Sequence, residues 1–365
     1  VHWHEITHIM SGIELATLNA AAVKGPAQLD QAAYTSKVSF NTVTGAVIGR
    51  DGNNRQSTFA KLSGNGPAVV FNDYAPAAFA HIRAQFGISK EQYLASLGIR
   101  QLKNSLVFGA LTSLFEMSSS GRSGSFFYSS HDGKYVLKTI PTAEADTLRK
   151  ILPQYCNHVS KNPDTLITRF TGLHAMTRGT VKTYFVVMTN IFQAKLPIHE
   201  TYDLKGSTVN RSTPMDIRGA GVALKDNDFE GRKLHVVPAL KAELMKQITA
   251  DSQLLSGLNL NDYSFLLGIH KSDGALPPST PSLCPKPSHS RFQLFYGGVP
   301  TANKTEVLFV GVIDILTAYN VKKMGEHLSK SVIYDGNQVS CVPPKQYHER
   351  FVNYLNTILV ATDAA

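Results

Sequence analysis

Apolar residues recur every three to four positions in some stretches of the chain and every second position in others. In "FNDYAPAAFAHIRAQFGISKEQYLASLG" (71–98), Phe79, Ile82 and Phe86 lie at near-helical spacing, which predicts two short helices. Ser89 precedes the second and Gln92 follows three residues later, the arrangement of a capping box. Over 118–140, "SSSGRSGSFFYSSHDGKYVLKTI", strand-forming residues flank His131-Asp132-Gly133, and Asp-Gly between such runs predicts a hairpin. Alternation in its second strand sets Tyr135, Leu137 and Thr139 on one face, and Lys134, Val136 and Lys138 on the other. Pro141-Thr142 then opens a helix whose Leu148, Ile151 and Leu152 form an inward stripe.

Further along, "YFVVMTN" (184–190) reads as an apolar strand and "PALKAELMKQITADSQLLSGL" (238–258) as a helix. "EVLFVGVIDIL" (306–316) has the unbroken apolar run of a buried strand, and 346–360 closes the chain as an amphipathic helix. The first hundred residues mix helix and strand patterns with Gly/Asn-rich turns such as "GRDGNNRQS" (49–57). "LPPSTPSLCPKPSHS" (276–290) is a Pro/Ser-rich stretch that reads as a mobile surface insertion.

Composition narrows the class. With 43% apolar and 17% charged residues over 365 positions, the chain is globular, long enough for one large domain or two lobes. The formal net charge is +9, and residues 121–250 hold 18 Lys/Arg against 11 Asp/Glu, so most of the surplus is local. Such an excess suits nucleotide phosphates, nucleic acid or an acidic membrane face. Cys156, Cys284 and Cys341 are far apart and form no C-x-x-C, which argues against a zinc site or disulfide framework and for a reducing cytosol. No apolar run approaches the roughly 18 residues of a membrane span. Val1 in place of Met is what a piece of a longer chain would show.

Several positions carry candidate chemistry. In "YDLKGSTVNR" (202–211), small residues after Lys205 let backbone amides approach an anion while the ammonium adds charge. The G-x-x-x-x-G-K-[ST] order of a P-loop is absent, however, and Asp203 stands two residues ahead of the lysine. Gly121, Gly124 and Ser125 form either a loop closing over phosphates, a plain turn, or a backbone clamp of the kind RNA-binding KH domains use. Lys138, on an apolar strand, is a phosphate ligand or an exposed edge lysine. Glu144 and Asp146 either pair with it or serve the dipole of the helix they open. Asp314 is a metal ligand or a cap, and Asp262 a proton acceptor for a hydroxyl or an Asx-turn residue.

Taken in order, these motifs resemble the phosphatidylinositol phosphate kinases, and within them the subfamily acting on phosphatidylinositol 4-phosphate. "SGRSGSFFYSSHDGKYVLKTI" is similar to that family's glycine loop and nucleotide lysine, and "YDLKGSTVNR" to its most diagnostic motif. "NDYSFLLGIH" (261–270) and "GVIDIL" (311–316) resemble its catalytic and metal segments, and "YAPAAFAHIRAQFGISKEQYLASL" and "VPPKQYHERF" match as well. The resemblance runs from about residue 70 to 360.

It implies an α+β fold distantly like the protein kinases. Residues 1–70 would extend an antiparallel-sheet amino lobe at 71–190, and a mixed carboxy lobe would fill 191–365, with 271–305 a flexible insertion. It implies ATP and Mg²⁺, an inositol hydroxyl as acceptor, and a peripheral place on an anionic cytosolic membrane face. Homodimers occur in the family, and nucleic acid is not an expected partner. Gly121, Gly124, Ser125, Lys138 and Lys205 would meet ATP phosphates, with Val187 and Met188 at the adenine. Asp262, with Lys205 and Asp203, would be catalytic, Asp314 would hold Mg²⁺, and Arg211 would help recognise the lipid phosphate. In the segment after Asp314, Glu326 matches the glutamate of the 5-kinases, where the 4-kinases carry Ala. Lys322 and Lys323 fall one residue earlier than the family's basic pair, and Met324 stands in the second lysine's place.

Overall fold

The computed structural model describes residues 3–20, 29–48, 69–99, 114–117, 125–192, 196–219, 221–272, 298–320 and 342–363. The chain divides into two units, Val1–Ser160 with Arg169–Asn190, and Lys161–Thr168 with Ile191–Ala365.

The first unit opens with helices α1 (Trp3–Ala20) and α2 (Gln31–Thr35) and strands β1 (Lys37–Asn41), β2 (Val47–Ile48) and β3 (Val69–Tyr74). Helices α3 (Pro76–Gln85) and α4 (Lys90–Leu97) follow, then β4 (Phe115–Met117), β5 (Phe127–Ser129), β6 (Tyr135–Ile140), α5 (Thr142–Lys161), β7 (Phe170–Arg178) and β8 (Val181–Thr189). The eight strands make one antiparallel sheet in the order β2-β1-β3-β7-β8-β6-β5-β4. On one face, Ile6, Met10 and Ile13 of α1 join Phe71, Leu137, Phe185 and Val187 in a core. Their i, i+4, i+7 spacing turns one stripe of the helix to the sheet, and each large side chain so buried contributes about 1.5–3 kcal/mol.

Local chemistry agrees with the sequence here. The Ser89 hydroxyl accepts from Gln92 N while Gln92 accepts from Ser89 N, so the capping box is complete. Between β5 and β6, Gly133 adopts a φ of 69° and Asp132 accepts from Ser96 Oγ at 2.6 Å, Ser130 Oγ at 2.7 Å and Lys134 N. Burial alone would raise the Asp132 carboxyl, but these donors outweigh it and hold it below its ordinary value.

The second unit contains β9 (Glu200–Leu204), β10 (Leu234–Val236), α6 (Pro238–Gly257), β11 (Ser264–Lys271), β12 (Val299–Pro300), β13 (Glu306–Ile313), α7 (Pro344–Ile358) and β14 (Leu359–Ala361). An antiparallel sheet runs β12-β13-β11-β9, and β10 pairs with β14 in parallel. Leu240, Leu244, Ile248 and Leu255 form the buried stripe of α6. Asp251, fully buried on the same helix, accepts from Thr165 Oγ1 at 2.8 Å and Leu166 N at 2.7 Å. With the bridge of Ile167 to Val312, these bonds explain why 161–168 belongs to the second unit although 142–160 does not.

Most of the Pro/Ser-rich insertion and the turn at 49–57 lie outside the described residues. Among the described residues, no helix is long and apolar enough to cross a membrane.

Candidate active site

Strand register gathers four distant motifs at one end of the second sheet. Leu204, the last residue of β9, pairs with Phe265, and Ser264, the first of β11, pairs with Ile313, the last of β13. Lys205 leaves β9, Asp262 and Tyr263 enter β11, and Asp314 leaves β13, all at this same end. Asp262 and Asp314 have φ of 62° and 57°. The left-handed region is uncommon for residues other than glycine, with Asp and Asn the best tolerated.

Lys205 and Asp262 are bonded directly. The Lys205 ammonium donates to Asp262 Oδ1 and to the Asp262 main-chain carbonyl, each at 2.7 Å. Two of its three N–H groups are thereby used, and the third has no protein partner among the described residues. The lysine itself is held by its backbone, because Asp226 Oδ1 accepts from Lys205 N at 2.8 Å and Gly206 N at 2.7 Å.

Asp226 continues into a second pair. Its Oδ2 accepts from Arg211 Nε at 2.6 Å, and Arg211 Nη2 donates to both the carboxylate, at 2.7 Å, and the carbonyl of Asp203. The Arg211 side chain is 10% exposed and that of Asp226 3%. Burial alone would lower the guanidinium, but the charges of Asp203 and Asp226 outweigh it and raise it. Asp203 therefore pairs with Arg211 rather than with Lys205. Arg211, expected at a lipid phosphate, is bound by two carboxylates of its own unit. Asp226 was not singled out in the sequence, where it stands among other acidic residues, Asp228 and Glu230.

In the first unit, Lys138 pairs across to Phe127 and Val186, with its Nζ 5.6 Å from the centre of the Phe127 ring. Met188 lies on the same sheet face as Lys138, opposite Val136. By the same alternation Val187 lies on the other face: its side chain is fully buried beside Leu137, and its carbonyl accepts Thr171 Oγ1 at 3.1 Å. It packs the core instead of offering its side chain on the face of Lys138. Ser125 is buried ahead of β5. Gly121, Gly124, Lys322, Lys323 and Glu326 lie outside the described residues.

The donor chemistry fits Mg²⁺ better than a softer metal. Asp203, Asp226, Asp262 and Asp314 offer four carboxylates against the two cations Lys205 and Arg211. Among the described residues, no group of three or more His, Cys, Asp or Glu could hold a metal unaided. Mg²⁺ is ordinarily held by one or two carboxylates together with substrate phosphates and water, which is the kind of site Asp314 can serve.

Comparisons with known proteins bear on the same segments. The family model described as "Phosphatidylinositol-4-phosphate 5-Kinase" matches residues 109–286 and 285–358. Over 79% of its length the chain is 36% identical to a "Phosphatidylinositol 4-phosphate 5-kinase" of Plasmodium falciparum, of which it covers 18%. It is 33% identical to "Phosphatidylinositol 4-phosphate 5-kinase type-1 beta" of Homo sapiens over 80% of its length, covering 58% of that protein. A third relative, "Phosphatidylinositol 5-phosphate 4-kinase type-2 beta" of Mus musculus, is 30% identical over 79% of the chain and 77% covered. The chain thus spans less than two thirds of the two 5-kinases.

Proposed function

The chain belongs to the phosphatidylinositol-4-phosphate 5-kinase family, and on that premise we propose that it transfers the γ-phosphoryl group of ATP to the 5-hydroxyl of phosphatidylinositol 4-phosphate. The observation that carries this reading is the Lys205–Asp262 pair, at the sheet end that also bears Asp314. A carboxylate for the acceptor hydroxyl and a cation with one donor left for a phosphate are what in-line phosphoryl transfer needs from a protein.

In this reading the inositol hydroxyl attacks the γ-phosphorus and its proton passes towards Asp262. Lys205 orients the carboxylate, and its remaining N–H meets a phosphate oxygen. Lys138 and Met188, on one face of the first unit's sheet, would serve the nucleotide. Asp314 would hold Mg²⁺, which supplies charge neutralisation on the phosphates when bound. Arg211 contributes by bracing the loop that carries Lys205. With Nε and Nη2 spent on Asp226 and Asp203, only Nη1 is left for a lipid phosphate, which makes that role secondary here.

Glu326 favours the 5-hydroxyl, and the alternative regiochemistry is kept in the test because a 5-phosphate 4-kinase is also a relative, at 30% identity. The basic surplus suits peripheral attachment to an anionic lipid surface, at about 1 kcal/mol for each Lys or Arg near it.

The test is turnover on vesicles carrying each of the three phosphatidylinositol monophosphates, with ATP and Mg²⁺. The expected product is the 4,5-bisphosphate from phosphatidylinositol 4-phosphate, lost in Asp314→Asn. Absence of turnover on all three, without an ATP-dependent rise in Tm, would overturn the kinase reading and leave a non-catalytic phosphoinositide-binding scaffold.

A further inference from the structure

One helix bears on both partners of the Lys205–Asp262 pair. Asn261, before the aspartate, is fully buried, and its Nδ2 donates at 3.0 Å to the carbonyl of Val342, just ahead of α7. Tyr263, after the aspartate, is also fully buried, and its carbonyl accepts the hydroxyl of Tyr347 on α7. The Tyr263 ring meets Tyr347 and Phe351 edge-on, with centroids 4.7 Å and 5.1 Å apart. Arg350 lies over the Tyr347 ring at 4.9 Å. Further along the helix, Tyr354 backs Gly206, where an added Cβ would come within 2.9 Å of the tyrosine's Cβ.

Packing alone does not call for a hydroxyl at 347. The position is completely enclosed, phenylalanine would fill the same space, and a buried phenol without a partner is destabilising. The hydroxyl is spent on the carbonyl of Tyr263, next in the chain to Asp262, whose φ lies in the left-handed region. Backbone of that kind persists where its surroundings over-determine it.

We infer that Tyr347 is a positioning residue for the reaction: its hydroxyl, anchored in α7, fixes the carbonyl of Tyr263, one peptide beyond Asp262, and so aims the Asp262 carboxylate at the reacting hydroxyl. The kinetic part of this rests on the kinase reading above. The helix lies 84 positions from the tyrosine it binds and touches no substrate in this role, so it acts through Asp262 alone.

Tyr347→Phe in the full chain keeps the ring and removes only the hydroxyl. The expected result is a kcat lower by about ten- to a hundredfold with the KM for ATP and the Tm little changed, because small misplacements of a reacting group act on the chemical step. Amide hydrogen exchange reads the same geometry without turnover. Residues 261–264 should exchange up to about tenfold faster, as for loss of one hydrogen bond, while α6 keeps its protection. Unchanged exchange at 261–264 overturns the inference, and so does a uniform loss of protection across the second unit, which would make Tyr347 merely structural. If the wild-type chain turns over no monophosphate, the kinase reading falls by itself, and exchange decides whether Tyr347 holds Asp262.

Discussion

Lys205 and Asp262 are 57 positions apart, yet one ammonium binds both the carboxylate and the carbonyl of the aspartate at 2.7 Å. The double attachment ties the lysine to the backbone as well as to the charge, so it restricts where the carboxylate can point. Lys205→Met keeps most of the stem and removes that tie. The expected outcome is a fall in kcat of about 10²–10³, the range for losing one preorganised charge-stabilising donor. Steady-state kinetics at saturating ATP checks this, and a kcat within threefold of wild type would refute it.

Arg211 connects Asp203 to Asp226 in the most enclosed charge cluster of the site. Removing one partner of a buried pair leaves the other charge uncompensated, which typically costs about 3–5 kcal/mol. Arg211→Ala should therefore lower the urea midpoint strongly with no lipid or nucleotide present. A variant of normal stability that fails only on lipid vesicles would instead return Arg211 to direct lipid recognition.

Gly206 has a φ of 69° and lies against Tyr354. Gly206→Ala should destabilise by roughly 1–2 kcal/mol from backbone strain alone, and further from the clash. Tyr354→Gly in the same chain should recover the second part only, since alanine would keep the Cβ that makes the closest contact. Equilibrium unfolding of the two single variants and the double variant separates these contributions, and full recovery in the double variant would show that strain at 206 is negligible.

Asp132 gives an acid-side dependence. Its carboxyl is held below the unfolded value of about 3.9, because Ser96, Ser130 and Lys134 outweigh the effect of burial. A depressed folded pKa means that the contribution is complete above the unfolded value and disappears as pH falls through the folded one. Asp132→Asn should then be clearly less stable than wild type at pH 6, with a smaller gap at pH 3. An equal gap at both pH values in urea melts would contradict the assignment.

Much of the local structure was legible in the residues themselves. The Ser89–Gln92 box, the Asp-Gly hairpin, the α5 stripe of Leu148, Ile151 and Leu152, and the strand over 306–313 all depend on neighbours a few positions away. Alternation also placed Lys138 and Leu137 on opposite faces of the first sheet, and the same rule applied to β8 separates Val187 from Met188. The motifs that identify the family are likewise linear strings.

What the string left open was partnership. Asp203 stands two residues ahead of Lys205 in the string, but the tertiary structure gives Asp203 to Arg211 and Lys205 to Asp262. Asp226 drew no notice in the sequence, although it holds both Lys205 and Arg211. Segment 161–168 reads as the end of one element, and Asp251 takes it into the other unit. Tyr347 lay inside a matched motif with no role attached to it.

The physical reason is the same in each case. Helix stripes, caps and tight turns are decided by steric and hydrogen-bonding preferences within about one turn of chain, so composition and spacing suffice to specify them. Which charge meets which depends on strand register: the pairing of Leu204 with Phe265 and of Ser264 with Ile313 is what brings Lys205, Asp262 and Asp314 to one edge. Sequence alone determined the parts and the chemistry each could supply. Only the folded second unit decided that Lys205 meets Asp262, because partial burial weakens the solvent alternative and the register supplies that neighbour.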